Sequence, residues 1–169
     1  MRKLLVILLA LLSFTTLLTS CHGDRELSQE EEGTLAVRKL YYHKMIGEWY
    51  YEERTDRDID YISYNCKEKG KLETYKKRLT REAITKDGKV EYGDWEVVED
   101  ETTTGEWRLG WSEAENANYF STSIHYGNNA TNVEIHYFEY VNDAELVIGY
   151  FGTGGKMFHF KRGNPGIAI

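Results

Sequence analysis

Gly105-Glu106-Trp107-Arg108-Leu109-Gly110-Trp111 and Asn132-Val133-Glu134-Ile135-His136-Tyr137 decide the fold, because both alternate apolar and polar side chains. Successive side chains of a strand point to opposite faces. Trp107, Leu109 and Trp111 therefore share one face against Glu106 and Arg108. By the same reading Val133, Ile135 and Tyr137 face the interior and oppose Asn132, Glu134 and His136. Leu146, Ile148 and Tyr150 repeat the theme, in a strand that Val147 and Phe151 make apolar on both sides.

Outward from these stretches the alternation continues from Met45 to Arg162, broken by turn residues. Strands are predicted near residues 47–54, 61–67, 71–82, 89–98, 105–111, 118–126, 132–141, 144–151 and 156–162. Lys69-Gly70, Asp87-Gly88, Gly127-Asn128-Asn129, Asn142-Asp143 and Gly152-Thr153-Gly154-Gly155 supply connections that tolerate positive φ. Residues 99–104 read either as a long loop or as a continuing edge. With no crossover helices, eight or nine such strands hide their edges best by closing on themselves. The expected fold is all-β, an antiparallel up-and-down barrel spanning residues 35–163. Leu35-Ala36-Val37, Leu40-Tyr41 and Met45 recur at helical spacing, so a short amphipathic helix is expected to lid one barrel end.

The sequence opens as an export signal. Arg2 and Lys3 precede an unbroken apolar run, Leu4 to Leu12, and Leu18-Thr19-Ser20 narrows to small side chains before Cys21. The apolar run is too short for a spanning helix, which takes about 20 residues. The sequence around Cys21 resembles a bacterial lipobox. That resemblance implies removal of residues 1–20, a diacylglycerol thioether on Cys21, and attachment to the bacterial cell envelope, most naturally the outer membrane. An ordinary cleaved signal with Cys21 merely nearby is the weaker reading. Residues 21–34, polar and rich in acids, read as a flexible tether, and residues 164–169 as a C-terminal tail.

Loss of residues 1–20 removes Arg2 and Lys3 and no acid, which takes 21 basic side chains to 19 against 28 acids, a net charge of −9. Such a protein repels nucleic acid, so no nucleic-acid partner is expected. Cys66 is then the one remaining cysteine, with no partner for an intramolecular disulfide, and reads as a small packed hydrophobe.

Gly47-Glu48-Trp49 opens the first predicted strand after the short helix, and Arg162 ends the last. This order is similar to that of lipocalin-like barrels found among bacterial lipoproteins. The resemblance implies that Trp49 sits at the closed barrel end beneath Arg162, and that Gly47 permits close backbone approach. Gly93-Asp94-Trp95 resembles the internal G-x-W of short bacterial members. The paired cysteines and long C-terminal helix of many secreted lipocalins are missing.

Tyr64, Trp95, Trp107, Trp111 and Tyr137 are the candidate liners of a ligand cavity, since aromatic walls suit an apolar or ring-containing molecule. Ordinary core packing is the competing reading of the same residues. Asp56, Asp58 and Asp60 alternate like the start of a calcium loop, but Tyr61 and Lys67 stand where an EF-hand needs Gly and a bidentate Glu. His125, His136 and His159 lie on separate strands, so no metal site and no cofactor is expected. Enzyme signatures are lacking, and the protein is not expected to be an enzyme. Two functions remain: a lipid-anchored carrier of a small apolar or amphipathic ligand, or a filled barrel that docks another envelope protein.

Overall fold

The computed structural model describes residues 26–126, 130–151 and 155–167. Cys21 and the expected export signal lie outside the described residues. Helix α1 (Gln29–Met45) precedes ten strands: β1 (Gly47–Arg54), β2 (Asp58–Cys66), β3 (Lys71–Thr80), β4 (Ala83–Lys86), β5 (Lys89–Tyr92), β6 (Glu96–Ser112), β7 (Ala117–His125), β8 (Thr131–Val141), β9 (Glu145–Gly149) and β10 (Met157–Arg162). Eight of them close into an antiparallel barrel in the order β1-β10-β9-β8-β7-β6-β3-β2, while β4 and β5 pair only with each other. Apart from that hairpin, each barrel strand neighbours the next in sequence, so the barrel is an up-and-down meander without open edges.

The helix begins earlier than the sequence reading allows. Ser28 caps it, its hydroxyl accepting from Glu31 N at 3.2 Å while the Glu31 carboxylate accepts from Ser28 N at 2.9 Å. This reciprocal pair satisfies two orphan backbone donors, and Glu30, Glu31 and Glu32 lie in the first turn, where the helix dipole favours negative charge. Residues 29–34 of the expected tether are therefore helical. Val37 and Met45 are buried, but Leu35 and Leu40, expected on the apolar face, are exposed.

Strand β6 runs unbroken through residues 99–104, settling the loop-or-edge alternative in favour of a strand. The predicted strand over residues 89–98 is divided instead between β5 and the start of β6, and β4 is additional to the predicted set. Two turn residues with positive φ, Asp87 and Gly88, close the β4–β5 hairpin, which leaves the barrel between β3 and β6.

The largest departure is in β8. Val133 and Ile135 are 60% and 56% exposed, whereas His136 and Phe138 are buried. The face toward the barrel axis is thus Asn132, Glu134, His136 and Phe138, the reverse of the expected one, and Tyr137 points outward. A register irregularity between Phe138 and Tyr140 adds one residue, which lets Phe138 and Val141 both face inward although three positions apart.

Inward positions segregate along the axis. One half is a dry core that includes Trp49, Cys66, Leu72, Trp107, Leu109, Phe120, Phe138 and Leu146. Helix α1 closes that end, packing on β6 and touching β8. Toward the other end the wall carries ionisable side chains, and there a cavity opens.

Candidate functional site

The closed end is built on Gly47, Trp49 and Arg162. Trp49 and Arg162 are paired across β1 and β10, and the guanidinium carbon lies 4.5 Å from the centre of the Trp49 ring. Arg162 Nη1 donates to Lys44 O at 3.0 Å and Nη2 to Ile46 O at 2.8 Å, so the cation also neutralises the C-terminal carbonyls of α1. Trp49 Nε1 donates to Met45 O at 2.8 Å. Gly47 has φ +127°, and a Cβ there would meet Arg162 Nη2 at 2.8 Å. Glycine thus fits both the backbone turn into β1 and the space the guanidinium fills.

Most of the expected cavity liners belong elsewhere. Trp107 is buried under α1, stacked on Tyr42 at 5.1 Å, and its Nε1 donates to Lys67 O at 3.0 Å. Trp111 lies against Gly33, where a Cβ would come within 2.7 Å of the indole. These two indoles therefore seat the helix. Trp95 follows the β4–β5 hairpin, with Arg81 4.4 Å above its ring and Gly93 N bonded to Glu82 O, so Gly93-Asp94-Trp95 forms part of a link and not of a barrel strand. Tyr137 packs edge-on against Phe151 at 6.2 Å. Only Tyr64 lines the open cavity, stacked on Phe160 at 5.1 Å.

The cavity measures about 410 Å³. Its apolar wall is formed by Ile62, Tyr64, Ile148, Tyr150, Phe158 and Phe160. The polar wall holds Glu53, Asp60, Lys76, Arg78, Glu134 and His136. A second hollow of about 670 Å³ is larger, but it is a groove between α1 and β6 with Arg38, Lys39 and Arg108 along its sides. The interior cavity is the better ligand site because aromatic rings enclose it from several strands.

Glu134 and His136 are the residues sequence reasoning missed. His136 is buried, and its Nε2 stands 3.5 Å from Glu134 Oε2, an ion-pair distance without hydrogen-bond alignment. The imidazole, aided by Lys76 3.9 Å from the other carboxylate oxygen, holds the Glu134 carboxyl below the usual range, while desolvation works against it. Burial pushes the Tyr64 hydroxyl and the Cys66 thiol well above their ordinary values. Cys66 is thereby an inert core residue in this environment.

The alternating acids are used locally. Asp56 accepts from the Tyr92 hydroxyl, Asp58 from the Thr80 hydroxyl, and Asp60 from Arg78 Nε at 2.8 Å. His125 contacts Thr131 and His159 contacts Glu145, both on the outer surface, away from His136. Among the described residues no three His, Cys, Asp or Glu side chains converge as a metal site would require. No helix among them is long and apolar enough to cross a membrane.

Fold and site together define a closed eight-stranded barrel, lidded by a helix at one end and hollow toward the other. Comparison with known proteins finds no matching family model, curated protein or solved structure.

Proposed function

We propose that the protein is a lipid-anchored barrel that takes a small apolar or amphipathic molecule into its open half, by burial and without chemistry. The cavity of about 410 Å³ with an aromatic wall carries this reading. Removing about 200 Å² of ligand apolar surface from water contributes roughly 5 kcal/mol at about 25 cal/mol per Å². That suits a dissociation constant near 0.2 mM for a small ligand without polar contacts, about 1 mM corresponding to 4.1 kcal/mol. Lipocalin-like membership is proposed on the Gly47-Glu48-Trp49 motif and the Arg162 stack, and lipid anchoring on the residues before Cys21.

Phenylnaphthylamine, whose emission rises in apolar surroundings, tests the reading. Ile62→Trp, which places an indole in the cavity, is expected to reduce the probe's affinity about tenfold or more, whereas Val133→Ser on the outer wall leaves it unchanged. Equal binding by Ile62→Trp and wild type would exclude the barrel interior as the site. A docking face is the second reading, favoured by the exposed Val133 and Ile135. Loss of probe binding in Val133→Ser alone would turn the argument toward it.

A further inference from the structure

The charges around the cavity are already engaged with one another. Asp60 pairs with Arg78 at 2.8 Å, and Arg78 also reaches Glu99 at 4.0 Å. Glu53 pairs with Lys156, and Lys77 with Asp100 at 3.2 Å. Glu134 has Lys76 at 3.9 Å and accepts from Asn132 Nδ2 at 3.0 Å. A charged ligand would have to displace one of these pairs or remain unmatched in a partly dry space.

His136 differs from all of them. It is only 5% exposed, and although Nε2 stands 3.5 Å from Glu134 Oε2, neither Nδ1 nor Nε2 has an aligned hydrogen-bond partner among the described residues. Buried polar atoms are seldom left so, because burial strips their water without a replacement. The imidazole lies between Phe120, with ring centres 6.4 Å apart, and Tyr150, at 5.8 Å. Tyr150 itself is 57% exposed. Tyr64 lines the same wall.

We propose, building on the ligand-burying reading, that the cavity selects an uncharged ligand with a hydroxyl or amide on a flat apolar ring system, and that His136 binds this polar group. In its neutral form an imidazole offers one donor and one acceptor, and a hydroxyl or an amide answers both. A carboxylate offers acceptors only and brings a second negative charge beside Glu134. An ammonium offers donors only and adds a cation where Lys76 already serves Glu134. The ring system lies along Tyr64, Phe158 and Phe160, which prefer offset or edge-on aromatic contact.

Three molecules with one ring system separate the alternatives: naphthol, naphthoate and naphthalene, each displacing phenylnaphthylamine from the purified protein near neutral pH. Naphthol is expected to displace the probe at about tenfold lower concentration than either of the others, the gain of one well-made buried hydrogen bond. His136→Phe should bring naphthol to the level of naphthalene while leaving naphthalene itself unchanged, which shows that the variant remains folded. His136→Gln, which keeps a donor and an acceptor, should retain most of the advantage. Naphthoate binding as well as naphthol, or a naphthol advantage that survives His136→Phe, would overturn the inference and leave the cavity reading standing. Failure of wild type to bind the probe at all would remove both.

Discussion

Gly47→Ala tests the closed end of the barrel, because two separable penalties meet at one atom. With φ at +127° the backbone lies where side chains are rarely accommodated, and alanine there costs about 1–3 kcal/mol. The new Cβ would also fall 2.8 Å from Arg162 Nη2 and 2.9 Å from Cζ. The guanidinium is flexible enough to move, but moving sacrifices its bonds to Lys44 O and Ile46 O and its stack on Trp49. These contacts are partly solvated, so their loss adds about 1–2 kcal/mol. The expected total is about 2–5 kcal/mol. In an Arg162→Ala background the second penalty vanishes, and Gly47→Ala should cost about 1–2 kcal/mol less than in wild type. Urea unfolding followed by tryptophan emission gives all four corners of the cycle. Penalties that add within about 0.5 kcal/mol would refute the claim that glycine is required at 47 partly to make room for Arg162.

Two further outcomes follow from the site. The two cysteines should behave oppositely: Cys21→Ser abolishes incorporation of labelled fatty acid and Cys66→Ser does not, whereas native Cys66 resists a thiol reagent until denaturant is added, because its thiol is buried and its pKa raised. Equal labelling of both serine variants, or fast reaction of native Cys66, would contradict this. Glu134, whose folded-state carboxyl is held below its unfolded value, stabilises the fold above the ordinary carboxylate range and loses that contribution as pH falls through the lowered value. Glu134→Gln should therefore lose less stability than wild type between about pH 7 and pH 3, the range that spans the ordinary carboxylate value; equal loss in urea melts would show that the pairing with His136 and Lys76 is not felt in stability.

What can be read from the sequence is whatever obeys a fixed period. Trp107 and Leu109 alternate strictly with Glu106 and Arg108, and they are buried where that pattern puts them. The same rule fails in β8 because one extra residue reverses the side-chain parity. Counting back from Tyr137 gives Val133 and Ile135 as interior, whereas counting back from Phe138 gives His136 and Glu134. The two apolar neighbours Tyr137 and Phe138 offer no local means of choosing between them. The helix start, by contrast, is written in the sequence. Ser28 followed by Glu31 is a capping-box spacing, and the run of acids that also marks a tether is what a helix N-terminus favours. Cavity liners are the hardest class, since an indole seating a lid and an indole facing a ligand read alike until the helix is placed on β6.

The division of the interior argues further about what the open half is for. Pairs such as Asp60–Arg78, with both side chains about half exposed, contribute little to stability, and well-packed apolar residues would serve a barrel core at least as well. Large side chains are packed most tightly in the other half, where Trp49, Trp107, Phe120 and Phe138 are almost fully buried and α1 closes the end. A wall that combines weakly stabilising charge pairs, a hollow of about 410 Å³ and a buried imidazole without an aligned hydrogen bond among the described residues is poorly explained by folding alone. Under the proposal that the open half takes up a ligand, the charge pairs would screen out ions and the imidazole would be left to read a polar group.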